Sequence, residues 1–156
     1  MQQRLFDYQQ HEQTSDDYYT PPWVFEQMNI EFDIDVASPP GGIDWIPAKH
    51  YFTMQEDGLA QTWNGRVWMN PPYSNPKPWV ERFIEHKNGI TLVPMTRGHW
   101  FNDLWTSDAA FVIPEQRDGL FKFVKNNKLT GIFMPVIFVA FGQECTEAIS
   151  RLGRAR

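Results

Sequence analysis

The apolar run Val67-Trp68-Met69 leads directly into the turn Asn70-Pro71-Pro72-Tyr73. Proline fixes φ and has no N–H, so the backbone carbonyls of this turn have few local donors. The Asn70 amide oxygen and the Pro71 carbonyl are then two acceptors at a rigid spacing, with the flat ring of Tyr73 beside them. Such a site suits an exocyclic amino group, because hydrogen bonds to both of its N–H protons make the nitrogen nucleophilic. The alternative is an ordinary turn, which Asn-Pro often opens.

The segments around this turn alternate between strand and helix patterns. Residues 66–69 and 90–94 are short apolar runs typical of buried strands, and helical spacing of apolar residues predicts a helix from about Trp79. Residues 32–37 alternate apolar and acidic side chains, and residues 50–53 predict a further strand. A strand, a helix and a strand in this order are typical of a parallel βαβ unit, so the sequence predicts an α/β fold.

Two aspartates lie at positions suited to ligand binding. Asp35 is at the C-terminal end of a predicted strand and precedes small residues, where open α/β sheets bind nucleotide-like ligands. Asp57 lies 22 positions further on (57 − 35), near the offset at which nucleotide-binding units place a ribose-binding acid. Each residue also has a structural interpretation, since Asp57-Gly58 is a common turn and Asp35 lacks a full glycine fingerprint.

The two ends of the chain differ from the middle. Residues 1–17 are Gln-rich and polar, which predicts a flexible lead-in, and residues 146–156 predict a loose basic tail. The folded domain is predicted to cover residues 18–145. Thr20 is expected to cap a helix whose first residue is Pro21. Later strands are predicted at residues 110–113, 119–124 and 136–141, with a turn at 125–128.

The composition indicates one globular domain. The chain has 156 residues with seven Trp and twelve Phe, enough apolar surface for a substantial core. Its longest apolar stretch, near residues 132–141, contains Pro135 and is too short to cross a bilayer, and the N-terminus has no apolar signal region. The single Cys145 excludes an internal disulfide and fits a reducing cytoplasm. The four histidines lack metal-ligand spacing, which disfavours a metal hydrolase.

The charge is unevenly distributed. The net charge of −5 argues mildly against tight nucleic-acid binding. Residues 1–76 carry three cations and eleven acids, a net charge of −8, whereas residues 77–156 carry eleven cations and eight acids, a net charge of +3. The later half therefore has the charge for a basic face, although a solvated surface explains the same count. Arg97, in a polar loop after the strand at 90–94, is a candidate phosphate contact there.

Four blocks together resemble the phage-type DNA N6-adenine methyltransferases. They are Tyr19-Thr20-Pro21, residues 32–37, Asp57-Gly58-Leu59 with Trp63, and Asn70-Pro71-Pro72-Tyr73. The resemblance covers about residues 18–142 and implies a Rossmann-like, S-adenosylmethionine-dependent methyltransferase. Its sheet would be mostly parallel, with a reversed strand near the C-terminal end. One departure is that other adenine methyltransferases carry a Gly-x-Gly loop where this chain has Val36-Ala37-Ser38-Pro39-Pro40.

The resemblance implies roles for particular residues. Thr20, Pro21 and Asp35 would line the methionine side of S-adenosylmethionine, and Asp57 would lie beside its ribose or adenine. Asn70, Pro71, Pro72 and Tyr73 would hold an adenine flipped out of DNA, and Lys77 and Arg97 would contact the nucleic acid. No metal and no membrane are expected. A phage- or prophage-encoded protein acting in the bacterial cytoplasm is implied, and the oligomeric state is left open.

Other functions share parts of this pattern. Cytosine N4 methylation and methylation of protein glutamine side chains use a similar grip on a planar N–H pair. Cytosine C5 methylation is disfavoured because it needs a cysteine nucleophile, and Cys145 lies far from any suitable loop in the sequence. A DNA- or cofactor-binding module that has lost turnover is the non-enzymatic alternative.

Overall fold

The computed structural model of the chain describes residues 18–115, 121–131 and 134–155. The lead-in predicted for residues 1–17 lies outside these residues, as does the first part of the strand predicted at 119–124. Within the described residues, the helices are α1 (Pro22–Met28), α2 (Lys77–His86), α3 (His99–Trp105) and α4 (Gln143–Ser150). None of them is long and apolar enough to cross a membrane.

The strands of the described residues form one large sheet and one hairpin. They are β1 (Phe32–Asp35), β2 (Ala48–Tyr51), β3 (Val67–Met69), β4 (Gly89–Pro94), β5 (Ala110–Pro114), β6 (Lys122–Lys125), β7 (Lys128–Gly131), β8 (Val136–Phe141) and β9 (Gly153–Ala155). The large sheet has the order β2-β1-β3-β4-β8-β5-β9, and β6 pairs with β7 alone.

The large sheet is mixed. Strands β2, β1, β3 and β4 are parallel neighbours, whereas β8 runs antiparallel to both β4 and β5. Strand β5 therefore points the same way as β4, and β9 pairs antiparallel with β5 at the edge. The predicted α/β fold is confirmed.

Helices cover both faces of the sheet, which explains why its central strands are apolar along their whole length. All residues of β4 and β8 are buried. On one face, Trp68 and Leu92 pack with α1, α4 and the base of the β6–β7 hairpin. On the other face, Val67 and Val139 pack with α2 and α3. Because a parallel sheet covered on both sides hides both side-chain directions, its strands show little alternation.

The predicted capping role of Thr20 is wrong. Helix α1 begins at Pro22, with Pro21 in the capping position in extended conformation, and no side chain caps it. Pro21 and Pro22 carry no N–H, so a hydroxyl of Thr20 at the cap could bind only the Trp23 N–H, and the helix instead begins one residue later than predicted. The first turn is closed instead by the Val24 N–H, which donates to the Pro21 carbonyl at 3.2 Å.

The prediction of a loose tail at residues 146–156 is also wrong for its described part. Helix α4 buries Cys145, Ala148 and Ile149 against the sheet, and β9 extends the sheet beside β5. Leu152, between these two elements, is only 2% exposed. The basic side chains masked this pattern, because Arg154 is exposed and Arg151 donates to the Met28 carbonyl, while Leu152 between them faces the core.

A substitution at Leu152 tests whether the tail is part of the core. Leu152→Ala should lower the free energy of unfolding by about 2–5 kcal/mol, the usual result of removing a buried leucine side chain. Arg154→Ala, two residues away and exposed, is the matched control and should change stability by less than about 0.5 kcal/mol. Urea unfolding followed by circular dichroism measures both, and equal small effects would show a tail that is not packed.

Candidate active site

The carboxyl ends of β1 and β3 lie side by side at one edge of the sheet. The chain passes from β1 to β2 on one side and then to β3 on the other, so the strand order reverses between β1 and β3. Open α/β sheets bind ligands outside the strand ends at such a reversal. Asp35 is the last residue of β1, and Asn70 follows β3 directly. The fold therefore brings together two residues that are 35 positions apart (70 − 35) in the sequence.

A cavity of about 440 Å³ opens at this edge, a volume within the usual range for small-molecule sites. Four predicted site residues line it, namely Asp35, Asp57, Asn70 and Pro72. Four others, Thr20, Pro21, Pro71 and Tyr73, are not part of its lining. The structure thus places the two acids, the asparagine and Pro72 around one space.

The Asn70 side chain has a defined orientation. Its amide nitrogen donates a hydrogen bond to the backbone carbonyl of Tyr18 at 3.1 Å. Because a carbonyl oxygen only accepts hydrogen bonds, the NH₂ group must face Tyr18 and the amide oxygen must face away from it. Asn70 therefore presents an acceptor, the group needed to bind an amine.

Tyr73 is turned toward the core. Its hydroxyl donates to the Leu92 carbonyl at 3.1 Å, and its ring meets Phe123 edge-on with centroids 6.2 Å apart. Burial raises the pKa of this hydroxyl, so Tyr73 is a neutral donor at every ordinary pH. The ring is partly exposed, and its stacking on a base stays a prediction.

Asp35 is a buried acid without an ion-pair partner among the described residues. Its side chain lines the cavity although the residue is only 3% exposed. Burial raises the pKa of this carboxyl to about 7, against a smaller opposing effect of the Ala37 N–H, which donates to Oδ1 at 3.3 Å. A carboxyl in this state favours a positively charged ligand in the cavity, because a cation replaces the lost hydration.

Asp57 and Gly58 form a tight turn at the side of the cavity. Asp57 has a left-handed φ of 56°, and its Oδ1 accepts from the Leu59 N–H at 3.2 Å. A Cβ on Gly58 would lie 2.0 Å from the Val36 carbonyl oxygen, so only glycine fits. The Trp63 indole donates to the Gly58 carbonyl at 2.8 Å and fixes the turn from behind. The exposed Asp57 carboxylate is thereby held at the cavity wall.

Thr20 lies one layer behind the cavity. The residue is 1% exposed, its carbonyl accepts from the Trp45 indole at 2.8 Å, and its hydroxyl has no hydrogen-bond partner in the described part of the chain. An unpaired buried hydroxyl costs free energy. Its neighbours Tyr18 and Tyr19 line the cavity, so the orphaned hydroxyl sits next to the space where a ligand would bind.

The two cations predicted to contact nucleic acid lie on the surface outside the cavity. Lys77 forms an exposed ion pair with Glu81 at 3.2 Å. Arg97 is exposed in the loop after β4 and lines a second, open cavity of about 380 Å³ beside Phe101 and Trp105. The two rings of Phe101 and Trp105 are stacked, with centroids 6.5 Å apart.

Three residues of the site escaped the sequence analysis. Tyr18 acts through its backbone carbonyl, which carries no side-chain signal. Trp68 and Trp79 line the cavity with aromatic surface, but each has apolar neighbours in the sequence, a pattern that predicts an ordinary core residue. Trp79 had one usable signal, since it lies in the first turn of the helix that follows the Asn-Pro-Pro-Tyr turn.

Cys145 lies at the other edge of the sheet. Helix α4 follows the end of β8, and Phe141 at that end pairs with Gly89 at the beginning of β4. Cys145 is buried, and burial raises the pKa of its thiol. The thiol is therefore neither near Asn70 nor activated as a nucleophile. In the described residues, no group of three or more His, Cys, Asp or Glu side chains is arranged to hold a metal ion.

The structure defines an α/β protein with a cavity at the strand reversal, lined by an oriented asparagine and a buried acid. A family model described as DNA N-6-adenine-methyltransferase (Dam) matches residues 8–130. The chain belongs to this family, and the resemblance noted in the sequence is confirmed.

A relative shows the same likeness. The protein named DNA N-6-adenine-methyltransferase of Haemophilus phage HP1 (strain HP1c1) is 40% identical over 94 residues, which cover 53% of this chain and 53% of that protein. The matched region thus spans about half the length of this relative. No solved structure matches the chain significantly.

The burial of Asp35 predicts a particular pH dependence of stability. Its pKa is raised to about 7, so between about pH 4 and pH 7 the native state holds a proton that the unfolded state has lost. The free energy of unfolding therefore falls as pH rises through this window. Between pH 5 and pH 8 the wild type should lose about 1–3 kcal/mol of unfolding free energy through this group. Asp35→Asn should not show this loss.

Asp33 is the matched control for this experiment. The Arg66 N–H and the Lys49 ammonium lower the pKa of Asp33, so this carboxyl is ionised in both states above about pH 5. Asp33→Asn should change stability by the same amount at pH 5 and pH 8. Urea unfolding at the two pH values measures both variants. A pH-independent effect of Asp35→Asn would show that Asp35 is ionised throughout.

Proposed function

We propose that this chain transfers a methyl group from S-adenosylmethionine to the N6 amino group of adenine in DNA. Membership of the family and the name of the phage relative support the reaction class. The observation that carries the assignment is the orientation of Asn70, whose amide nitrogen donates to the Tyr18 carbonyl, so that its amide oxygen is turned away from that bond. An acceptor fixed in this way binds an N–H donor such as the adenine amine.

The architecture supports a Rossmann-like methyltransferase. The strands β2, β1, β3 and β4 are parallel, and the carboxyl ends of β2, β1 and β3 lie at the cavity. We assign β8, antiparallel to β4 and β5, as the reversed strand that the family resemblance implies near the C-terminal end. The reaction would take place where β1 and β3 diverge.

The residues at the cavity fit a positively charged nucleoside cofactor. S-adenosylmethionine carries an ammonium and a sulfonium group and supplies an electrophilic methyl group when bound. The buried Asp35 carboxyl would pair with the positive charge of its methionine part, and Thr20 and Pro21 would stand behind that part. The exposed Asp57 carboxylate is placed to accept from ribose hydroxyls or the adenine amine. The rings of Trp68 and Trp79 give the cavity wall a flat, apolar surface.

The target amine would be held by two acceptors. The Asn70 oxygen and the Pro71 carbonyl accept from the 6-amino group of a flipped adenine, and Tyr73 would pack on the face of the base. These hydrogen bonds would keep the nitrogen lone pair available for the methyl group that bound S-adenosylmethionine supplies. The S–C bond would break as the N–C bond forms, the electron pair would stay on sulfur in the neutral thioether product, and the amine proton would leave to water. Positioning and fixed dipoles supply the rate enhancement, so no strong base is required.

DNA would contact the protein around the cavity. Arg97, exposed beside the stacked Phe101 and Trp105 rings, is suited to bind a phosphate or an unstacked base. Lys77 lies in the first turn of α2, near the Asn-Pro-Pro-Tyr turn, and would contact the backbone of the DNA. Since the substrate is DNA, we place the protein in the cytoplasm of a bacterial host.

Replacement of Asn70 tests the proposed reaction directly. Asn70→Ala should reduce methyl transfer by at least about a thousandfold, because an acceptor that acts in the transition state is lost. Asn75→Ala, at an exposed asparagine five positions later, is the matched control and should retain activity. The assay uses labelled S-adenosylmethionine with adenine-containing DNA, followed by separation of the nucleosides.

The label distinguishes the competing functions. Label in N6-methyladenosine supports the proposal, whereas label in N4-methylcytosine would show that the target base is cytosine and not adenine. Label in protein glutamine, or none at all, contradicts DNA methylation. Undiminished turnover of Asn70→Ala would contradict the assignment of the site while leaving the reaction in place.

Cofactor binding should release protons near pH 7. Because the pKa of Asp35 is about 7 without a ligand, a cation beside it favours the ionised form, and binding at pH 7 should release about half a proton. Calorimetric titration with S-adenosylmethionine in two buffers of different ionisation enthalpy measures this number. Asp35→Asn should weaken binding and abolish the release, whereas Asp33→Asn should preserve both. If Asp35→Asn releases as many protons on binding as the wild type, the released proton comes from another group.

A further inference from the structure

The β6–β7 hairpin concentrates positive charge in a chain that is acidic as a whole. Residues 121–131 contain three lysines and no acid, a charge of +3 against a net charge of −5 for the protein. Strands β6 and β7 form a two-stranded sheet of their own, and an isolated bridge joins Val124 of β6 to Tyr19. Lys125, Lys128 and the turn between them lie at the end of the hairpin opposite the buried Phe121 and Phe123.

The base of the hairpin is fixed to the candidate active site. Phe123 is fully buried and contacts the rings of both Tyr18 and Tyr73 edge-on. Val124 exchanges two backbone hydrogen bonds with Tyr19, of 2.8 and 2.9 Å. The hairpin thus holds the segment whose Tyr18 carbonyl orients Asn70. Its position relative to the cavity is set by these contacts rather than by a flexible tether.

The outer end of the hairpin exposes groups that recognise nucleic acid. The Lys125 ammonium lies over the ring of Tyr18, 4.5 Å from its centroid, at the wall of the cavity. Asn126 and Asn127 form the turn with left-handed φ values of 52° and 62°, and both are exposed. Lys128 follows in an exposed position. Asparagine side chains pair with the edge of adenine in the major groove, and lysines pair with phosphates.

We propose that the β6–β7 hairpin is a DNA-binding arm that enters the major groove next to the flipped base. Lys125 and Lys128 would contact phosphates, and Asn126 and Asn127 would contact base edges. The major groove of B-DNA, about 12 Å wide, admits a two-stranded ribbon. The proposal rests on the proposed function, because it takes DNA as the substrate of the adjacent site. From the sequence, this element is predicted only as a strand and a turn, and the proposal gives it contacts with DNA.

The phosphate contact is tested by the salt dependence of binding. Lys128→Gln should weaken binding of a short fluorescent duplex about five- to tenfold at 0.1 M salt, and should lower the slope of log K against log salt concentration by about 0.9. Lys87→Gln is the matched control, because Lys87 precedes β4 and lies at the sheet edge away from the cavity. It should leave the slope unchanged. Anisotropy titrations between about 50 and 200 mM salt measure both variants.

The base contacts are tested without disturbing the turn. The double variant Asn126→Gly, Asn127→Gly removes both amides, and glycine retains the positive φ values. Wild type and variant each methylate a pool of duplexes with randomised flanks, and the products are sequenced. The variant should show a broader choice of flanking sequence with an unchanged salt slope. Identical product pools would overturn the base contacts, and equal salt slopes for Lys128→Gln and wild type would overturn the phosphate contacts.

Failure of this proposal differs from failure of the proposed function. Wild-type protein that binds S-adenosylmethionine but never labels DNA contradicts the proposed function. Wild-type protein that methylates DNA, with Lys128→Gln indistinguishable from Lys87→Gln and the glycine variant equal to wild type, contradicts the hairpin proposal alone. Circular dichroism and calorimetric cofactor binding confirm that each exposed-site variant is folded.

Discussion

The hydrogen bond from the Asn70 amide to the Tyr18 carbonyl is the constraint on which the proposed chemistry depends. It selects which end of the amide faces the cavity, and without it a rotated Asn70 would offer a donor where an acceptor is required. The Tyr18 carbonyl is itself held indirectly. The next residue, Tyr19, is bound to Val124 of the hairpin, and the Thr20 carbonyl is bound by Trp45. Three distant parts of the chain thus determine the direction of one side chain.

The buried acid at the end of β1 shows how the site departs from what stability alone would favour. Among the described residues no cation pairs with Asp35 in the cavity wall, and burial raises the pKa of this carboxyl because it disfavours the ionised form. Asp33, two residues earlier on the same strand, has the opposite condition, with Arg66 and Lys49 beside it. The strand therefore pairs the acid that faces outward and leaves unpaired the acid that faces the ligand space. A cationic ligand would complete the second pair, which gives binding a favourable electrostatic contribution that folding does not provide.

The sequence predicts what depends on local pattern, and misses what depends on distant partners. The α/β class follows from the order of apolar runs, and the strand at Val136–Phe141 is located correctly because its residues are uniformly apolar. The cap at Thr20 fails because Pro21 and Pro22 carry no N–H, and the helix begins one residue later. The tail at residues 146–156 is mistaken because exposed arginines outnumber the few apolar residues that dock it. The role of the Tyr18 carbonyl cannot be read from the sequence, because every residue carries a backbone carbonyl.

The acidity of the protein is compatible with DNA binding once distance is considered. At about 0.1 M salt the screening length is about 10 Å, so a phosphate responds to the charges nearest to it and hardly to the net charge. The excess of acids lies in residues 1–76, whereas the hairpin residues 121–131 carry +3. Because Phe123 and Val124 fix the hairpin beside Tyr18 and Tyr19, this positive charge is placed at the cavity wall. If the protein binds DNA as proposed, the charges nearest the cavity, and not the net charge of the protein, would decide where the polyanion docks.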